Sequence, residues 1–359
     1  KTSHFFESTL LQLIQNTQLT NRPLKDLYLD STEIMLTCFT LATINNITPP
    51  PIQDHVLQSI PEELRQSASI YLSNFGMKGF SWALSGIEAL ITKSTGLLPK
   101  ETNVGILNQN YFELQDFLHH FKEHNSIEEQ TNIAFSNYSY LNQITDSIFI
   151  LWCDIHPNNA AADHIHQNDL LEWLPNYCKE DPTRKIVVVL DITLNLIQDD
   201  EINVLLNSLA EYILNGQLCL YLNQSLAKIV QLGTDLFSGG LQVLFCNKDI
   251  WAPIKETIDR LSEQETVPKS VSNYFSILFQ TLRSEQMDYF NLIKQNTEYC
   301  YETLDNILKN GMHQDRPCFN ITFNSDSKSP YIALNFNQLF SQIGISDSDE
   351  SALRLKAVK

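Results

Sequence analysis

The sequence predicts an α/β protein: a large domain with a mostly parallel sheet flanked by helices, followed by a small C-terminal α+β domain. Three observations carry this. Short apolar runs alternate with helix-period segments from Val104 to Phe245. The run Ile186–Leu190, IVVVL, has apolar residues at every position, as a parallel strand buried on both faces requires. Two alternating segments, Cys318–Phe323 and Tyr331–Phe336, follow a long helical stretch.

Residues 5–45 read as helix, with Leu10, Leu11, Ile14, Leu36, Phe39 and Leu41 at apolar positions, and the Pro49-Pro50-Pro51 run ends it. Residues 55–75 read as a second helix, and 84–96 as a third that opens at Ser85-Gly86. The alternation then runs strand Val104–Leu107, helix Tyr111–His124, strand Ser147–Cys153, helix Asp169–Lys179, strand Ile186–Leu190 and helix Ile202–Leu214. Strands Leu218–Leu222 and Leu241–Phe245 complete it. Residues 250–310 read as long helices, and a last helix lies around 338–343. The expected division is an N-terminal helical arm over 1–55, a large domain over 56–250, and connecting helices with the small domain over 251–359.

With 43% hydrophobic and 18% charged residues, the 359-residue chain can bury a large core. Its net charge of −18 argues against nucleic acid or an anionic membrane as partner, since both reward clustered Lys and Arg. The cysteines Cys38, Cys153, Cys178, Cys219, Cys246, Cys300 and Cys318 are odd in number, widely spaced and without a CxxC. That pattern argues against a disulfide framework or a zinc site and for a reducing, cytoplasmic setting. No apolar run reaches membrane-spanning length, and residues 1–30 lack a signal-peptide pattern.

Ligands of open α/β sheets bind beyond the carboxyl ends of the strands, and four such places hold chemistry-bearing residues. Lys228 closes the sequence Ser225-Leu226-Ala227-Lys228 after a strand; a neutral lysine there can condense with an aldehyde, and Ser225 can meet a phosphate. On its own S-x-x-K also fits a solvated lysine at a helix start. Asp191 follows IVVVL, where a carboxylate can keep a pyridine nitrogen protonated or simply cap a turn. Ser85-Gly86-Ile87-Glu88-Ala89 can offer helix-start N–H groups to an anion, or be an ordinary serine-capped helix. Tyr111 can stack on a flat ring or fill core space.

In order, these residues resemble the pyridoxal-phosphate (PLP) fold-type I superfamily, the aspartate-aminotransferase-like fold, and particularly its cystathionine synthase/lyase branch. SGIEA resembles that branch's phosphate loop, VVVLDITL its aspartate strand, and KIVQLGTDLFSGG its lysine segment through Gly239-Gly240. The resemblance covers about residues 80–250. It implies PLP as cofactor, an amino acid as substrate, and a homodimer or higher homo-oligomer, because such sites lie at a dimer interface. It implies that Lys228 holds the aldehyde and shuttles the substrate proton, Asp191 pairs with the ring nitrogen, and Thr193 supports the ring or its phenolic oxygen. Ser85, Gly86, Ile87 and Ser225 would bind the phosphate, and Tyr111 would stack. Asn158 or Asn159 would bond the phenolic oxygen, and Arg354 would clamp the substrate carboxylate. The implied reaction is β- or γ-elimination or replacement, with transamination the alternative, since the Asp191–Lys228 interval is nearer the aminotransferase spacing.

Departures are also visible. The branch's N-terminal Tyr-x-Arg is not found, and the chain has only 11 Gly. Both fit a third reading, a catalytically degenerate PLP-fold protein acting through protein–protein contacts. No metal is expected. His119, His120 and His124 read as a polar helix face, and His156, His164 and His166 with Asp154 and Asp163 as polar loop. No G-x-S-x-G, P-loop or G-x-G-x-x-G occurs.

Overall fold

The computed structural model describes residues 24–43, 49–93, 102–107, 133–138, 140–144, 149–156, 167–265, 267–310, 320–322 and 332–335. The helices are α1 Leu24–Thr43, α2 Ile52–Ser59, α3 Gly76–Lys93, α4 Gln167–Glu180, α5 Asp200–Leu214, α6 Ala252–Gln264, α7 Lys269–Thr281 and α8 Arg283–Asn310. The strands are β1 Ala68–Ser73, β2 Thr102–Leu107, β3 Ile133–Tyr138, β4 Ile150–Asp154, β5 Ile186–Asp191, β6 Leu218–Ser225, β7 Gly240–Phe245, β8 Asn320–Thr322 and β9 Ala333–Asn335.

Strands β1 to β7 form one sheet in the order β1-β7-β6-β5-β4-β2-β3. Strand β7 is antiparallel to both its neighbours, and the β6-β5-β4-β2-β3 run is parallel throughout. Parallel neighbours need a crossover, and α4 and α5 supply two of them, between β4 and β5 and between β5 and β6. The antiparallel step from β6 to β7 needs none. Residues 226–239 are therefore free to form a loop at the carboxyl end of β6, and Lys228 lies in it.

The sheet is buried on both faces, so β5 is buried at all six positions. Val188, Leu190, Leu220 and Leu222 point into a core built with α1, α2, α4, α5 and α7. Val187, Val189, Cys219 and Tyr221 point the other way, against Phe80, Trp82, Leu84, Ile87 and Leu90 of α3 and Ile254 and Ile258 of α6. Each such aliphatic or aromatic side chain contributes about 1.5–3 kcal/mol on burial. Strands β8 and β9 pair antiparallel in a separate two-stranded sheet.

Two expectations fail on the amino-terminal side. Residues 68–73, expected as helix, form β1, whose residues pair with β7 from Ala68↔Phe245 to Ser73↔Gly240. The segment ASIYLS has β-branched and aromatic residues but only one buried alternation, too short a signal to override the helical surroundings. The third helix opens at Gly76, not at Ser85-Gly86. Strand β3, at the sheet edge, had no counterpart among the expected elements.

Candidate active site

Two strand ends set the site. Asp191 closes β5 and Ser225 closes β6. Register places Asp154, Asp191, Asn223 and Gln242 side by side across β4, β5, β6 and β7, all buried on the α3/α6 side of the sheet. The next row carries Ser225, Gly240 and Ser73. A polar row at the carboxyl edge of a sheet otherwise filled with Val, Ile and Leu is costly unless its groups find partners.

Partners are present for much of it. The Thr193 backbone N–H donates to Asp191 Oδ1 at 2.8 Å, and the Ser225 N–H donates to Thr193 Oγ1 at 3.1 Å. Thr193 thus ties the two strand ends together. Asp191 is only 6% exposed. Burial pushes its carboxyl above the ordinary range; the Thr193 bonds and the nearby Lys228 ammonium pull the other way. Lys228 also acts on Asp235, whose carboxyl partial burial raises and the lysine lowers. Across the row, Gln242 Nε2 donates to Ser73 Oγ at 2.9 Å and to Asn223 Oδ1 at 3.2 Å, while Gln242 Oε1 is buried with no hydrogen-bond partner among the described residues.

Helix α3 closes over this edge through two glycines. A Cβ on Gly79 would lie 2.0 Å from Asn223 Oδ1, and one on Gly76 would lie 3.0 Å from Ser225 Cβ. The first turn of α3 therefore sits directly against Ser225. An anion held there would meet both a hydroxyl and the positive end of a helix dipole. That end already has one carboxylate: Glu265, just past α6, accepts the Asn74 N–H at 2.9 Å, with Lys78 Nζ 3.7 Å from its other oxygen.

The loop carrying Lys228 is held by Gln231, which is fully buried. Its Nε2 donates to the carbonyls of Leu226 at 2.9 Å and Phe237 at 2.6 Å. Its Oε1 accepts the Phe237 N–H at 3.0 Å and the Tyr274 hydroxyl at 3.1 Å. Gln231 is not among the residues expected from sequence, although a lone amide inside the apolar run Ile229-Val230-Gln231-Leu232 is a usable signal. Gly76 and Gly79 are likewise unexpected, although their G-x-x-G spacing puts both on one helix face.

Of the expected site residues, Asp191, Thr193, Ser225 and Lys228 come together. Ser85, Gly86 and Ile87 do not join them as a helix start. They lie in mid-helix, where N–H groups are spent on the preceding turn, and Gly86 instead allows close packing, a Cβ there lying 3.1 Å from Ile254 Cγ2. Tyr111, Asn158, Asn159 and Arg354 lie outside the described residues, as do His119, His120, His124, Asp163, His164 and His166. His156 is 3.0 Å from Glu201 Oε1, and Asn195 Nδ2 donates to Glu201 Oε2 at 2.7 Å, linking the end of β4 to the start of α5. No metal-binding group occurs among the described residues. A cleft of about 360 Å³ lined by Tyr140, Asn142, Glu172 and Trp173 includes none of these residues.

The arrangement fits pyridoxal phosphate at both ends. A buried carboxylate, braced from one side, suits a protonated ring nitrogen. The Gly76 cradle against Ser225 suits a phosphate.

This architecture is the aspartate-aminotransferase-like fold of fold-type I PLP enzymes, with its mixed sheet flanked by helices. The chain is similar to an aromatic amino acid aminotransferase crystallised with 3-indolebutyric acid (TM-score 0.54, 11% identity, 85% of this chain and 75% of that one). It is also similar to a broad specificity aminotransferase from Leishmania mexicana (TM-score 0.51, 10% identity, covering 80% and 72%). An aspartate aminotransferase from Trypanosoma cruzi matches to the same degree (TM-score 0.51, 12% identity, covering 78% and 72%). Cystathionine gamma synthase from Xanthomonas oryzae pv. oryzae is among the matched structures (TM-score 0.46, 12% identity, covering 74% and 57%). No protein-family model and no curated protein sequence matches the chain. Among the described residues, no helix is long and apolar enough to cross a membrane.

Proposed function

We propose that this protein is a PLP-dependent enzyme acting on amino acids. The observation that carries the proposal is the convergence of Lys228, Asp191, Thr193 and Ser225 on one sheet edge, under the first turn of α3. PLP, when bound, supplies an electron sink that weakens the bonds at a substrate's α-carbon. The rest is done by the chain. Lys228 Nζ would hold the aldehyde end, and the same amine would take and return the proton at a substrate's α-carbon. Asp191 would hold the ring nitrogen protonated, and the Thr193 N–H fixes that carboxylate. Ser225 and the α3 amides would hold the phosphate. Tyr111 as the stacking ring, Asn158 or Asn159 as the phenolic-oxygen donor, and Arg354 as the carboxylate clamp complete the assignment, in at least a homodimer.

For the reaction, we favour β- or γ-elimination or replacement from the order of the motifs. The Asp191–Lys228 interval favours transamination. A dependence on an added 2-oxo acid separates them, since elimination releases pyruvate or ammonia without one.

The test is direct. Protein incubated with PLP should gain an absorption band in the near ultraviolet to blue, and borohydride should fix the cofactor to the peptide containing Lys228. Lys228→Ala should lose both. A band that survives in Lys228→Ala, or no uptake by the wild-type protein in excess PLP, overturns the proposal in favour of a non-catalytic scaffold.

A further inference from the structure

Away from the cofactor edge, two cysteines face each other across the β6/β7 ladder. Leu220 pairs with Phe245, so one step further along the antiparallel register Cys219 lies opposite Cys246. The Cys246 N–H donates to the Ser67 carbonyl at 3.1 Å, on the β1 side. In an antiparallel ladder a residue's N–H and C=O point to the same neighbour, so Cys246 turns no backbone hydrogen bond toward β6. The Cys219/Cys246 pair is therefore of the non-hydrogen-bonded kind, with Cα atoms about 4.5 Å apart and side chains at their closest. That separation lies inside the Cα range of a disulfide, about 4.4–6.8 Å. Both side chains share the α3/α6 face, and both residues are fully buried.

We propose that Cys219 and Cys246 form a redox modification site, a cross-strand dithiol that a peroxide converts to a disulfide. The register sets the two thiols against each other on that face. The neighbouring Cys219 thiol, with the charges of Lys255 and Lys248, holds Cys246 below the ordinary thiol range against its own burial, while burial pushes Cys219 well above it. Cys246 is thus the attacking sulfur and Cys219 the resolving one. The Cys246 thiolate attacks a peroxide oxygen, the O–O bond breaks, and hydroxide leaves. The Cys219 sulfur then attacks the resulting sulfenic acid; the S–S bond forms, the S–O bond breaks, and the departing hydroxyl takes the Cys219 proton as water. Two sulfurs lose two electrons in all, and one peroxide becomes two waters once the first hydroxide is protonated. A peroxide is also small and uncharged, as access to a buried pair requires.

The closed loop would contain Lys228 and Gln231 and tie together the strands that flank them. The pair lies at the opposite end of β6 from Ser225, about 20 Å away at 3.3 Å per residue. Oxidation therefore leaves the cofactor groups untouched, and the proposal does not depend on PLP binding.

The experiment treats the full chain with millimolar hydrogen peroxide, denatures it in an alkylating agent and maps unreduced peptides by mass. The expected result is one crosslinked species joining the Cys219 and Cys246 peptides, two hydrogens lighter than their sum and released by dithiothreitol. Cys219→Ala and Cys246→Ala should each lack it. The wild-type map decides the matter even if those variants fold poorly. Alkylation of both cysteines after oxidation elsewhere, or a sulfinic acid on Cys246 beside an alkylated Cys219, overturns the proposal.

Discussion

Replacing Asp191 by Asn should weaken PLP binding and stabilise the cofactor-free protein at the same time. Asn is nearly isosteric, and its carbonyl still accepts the Thr193 N–H now held at 2.8 Å. What it removes is a negative charge at a position only 6% exposed. A hydrogen bond to a charged partner is worth about 1.5–3 kcal/mol, so losing it to the ring nitrogen predicts a Kd about 10- to 150-fold higher. Without cofactor the same charge is a burden: burial is the largest influence on Asp191, and Thr193 and Lys228 offset it only in part. Removing a poorly compensated buried charge stabilises by about 1 kcal/mol, or roughly 1–2 °C in Tm for a chain of this length. The pH dependence follows from the direction of the shift. Because the folded-state pKa lies above the ordinary 3.8, the folded state binds this proton more tightly than the unfolded one. The penalty is absent below 3.8 and develops as pH rises through the folded value. The Tm gap between variant and wild type should then open toward neutral pH and close in acid. Equilibrium PLP titration and thermal melts across pH 4–8 check both halves. Unchanged PLP affinity, or a cofactor-free variant less stable than wild type at pH 7, would refute the reasoning.

Gln231→Ala should strip the Lys228 loop of its internal bonds and cost about 3 kcal/mol, with uptake of PLP lost before global unfolding; denaturant melts alongside cofactor absorbance separate the two. Gly79→Ala places a methyl 2.0 Å from Asn223 Oδ1 and should destabilise by about 1–3 kcal/mol, read as a lower urea midpoint at unchanged m-value. Glu265→Gln removes the carboxylate already resting on the start of α3, and should tighten phosphate and PLP binding about two- to five-fold by calorimetry, the scale of a helix-end charge interaction.

The legible parts of the site share one property: their signal is local. IVVVL announces a doubly buried strand, and a strand that ends in Asp or is followed by S-x-x-K announces its own carboxyl edge. Asp191, Thr193, Ser225 and Lys228 could be picked out because each follows a run whose period identifies it. The start of α3 is not legible for the complementary reason. SGIEA carries small residues in a helical setting, which is what a helix start and a tight helix–helix contact both need, and only the position of Ile254 tells them apart. β1 was lost because a six-residue edge strand framed by helices has too few alternations to declare itself.

By itself, the sequence determined the class of the fold, the order of its strands and helices from β4 to β7, the strand end at Asp191 and the segment after β6 that carries Lys228. Periodicity and strand-end chemistry are properties of neighbours along the chain, so they survive being read in one dimension. Tertiary structure alone decided that α3 begins at Gly76 against Ser225, that Gln231 rather than any charged residue anchors the lysine loop, and that Cys219 meets Cys246. Those are contacts between segments whose separation in sequence is unrelated to their separation in space. They are fixed by β-sheet register and helix packing, which no single stretch of residues encodes.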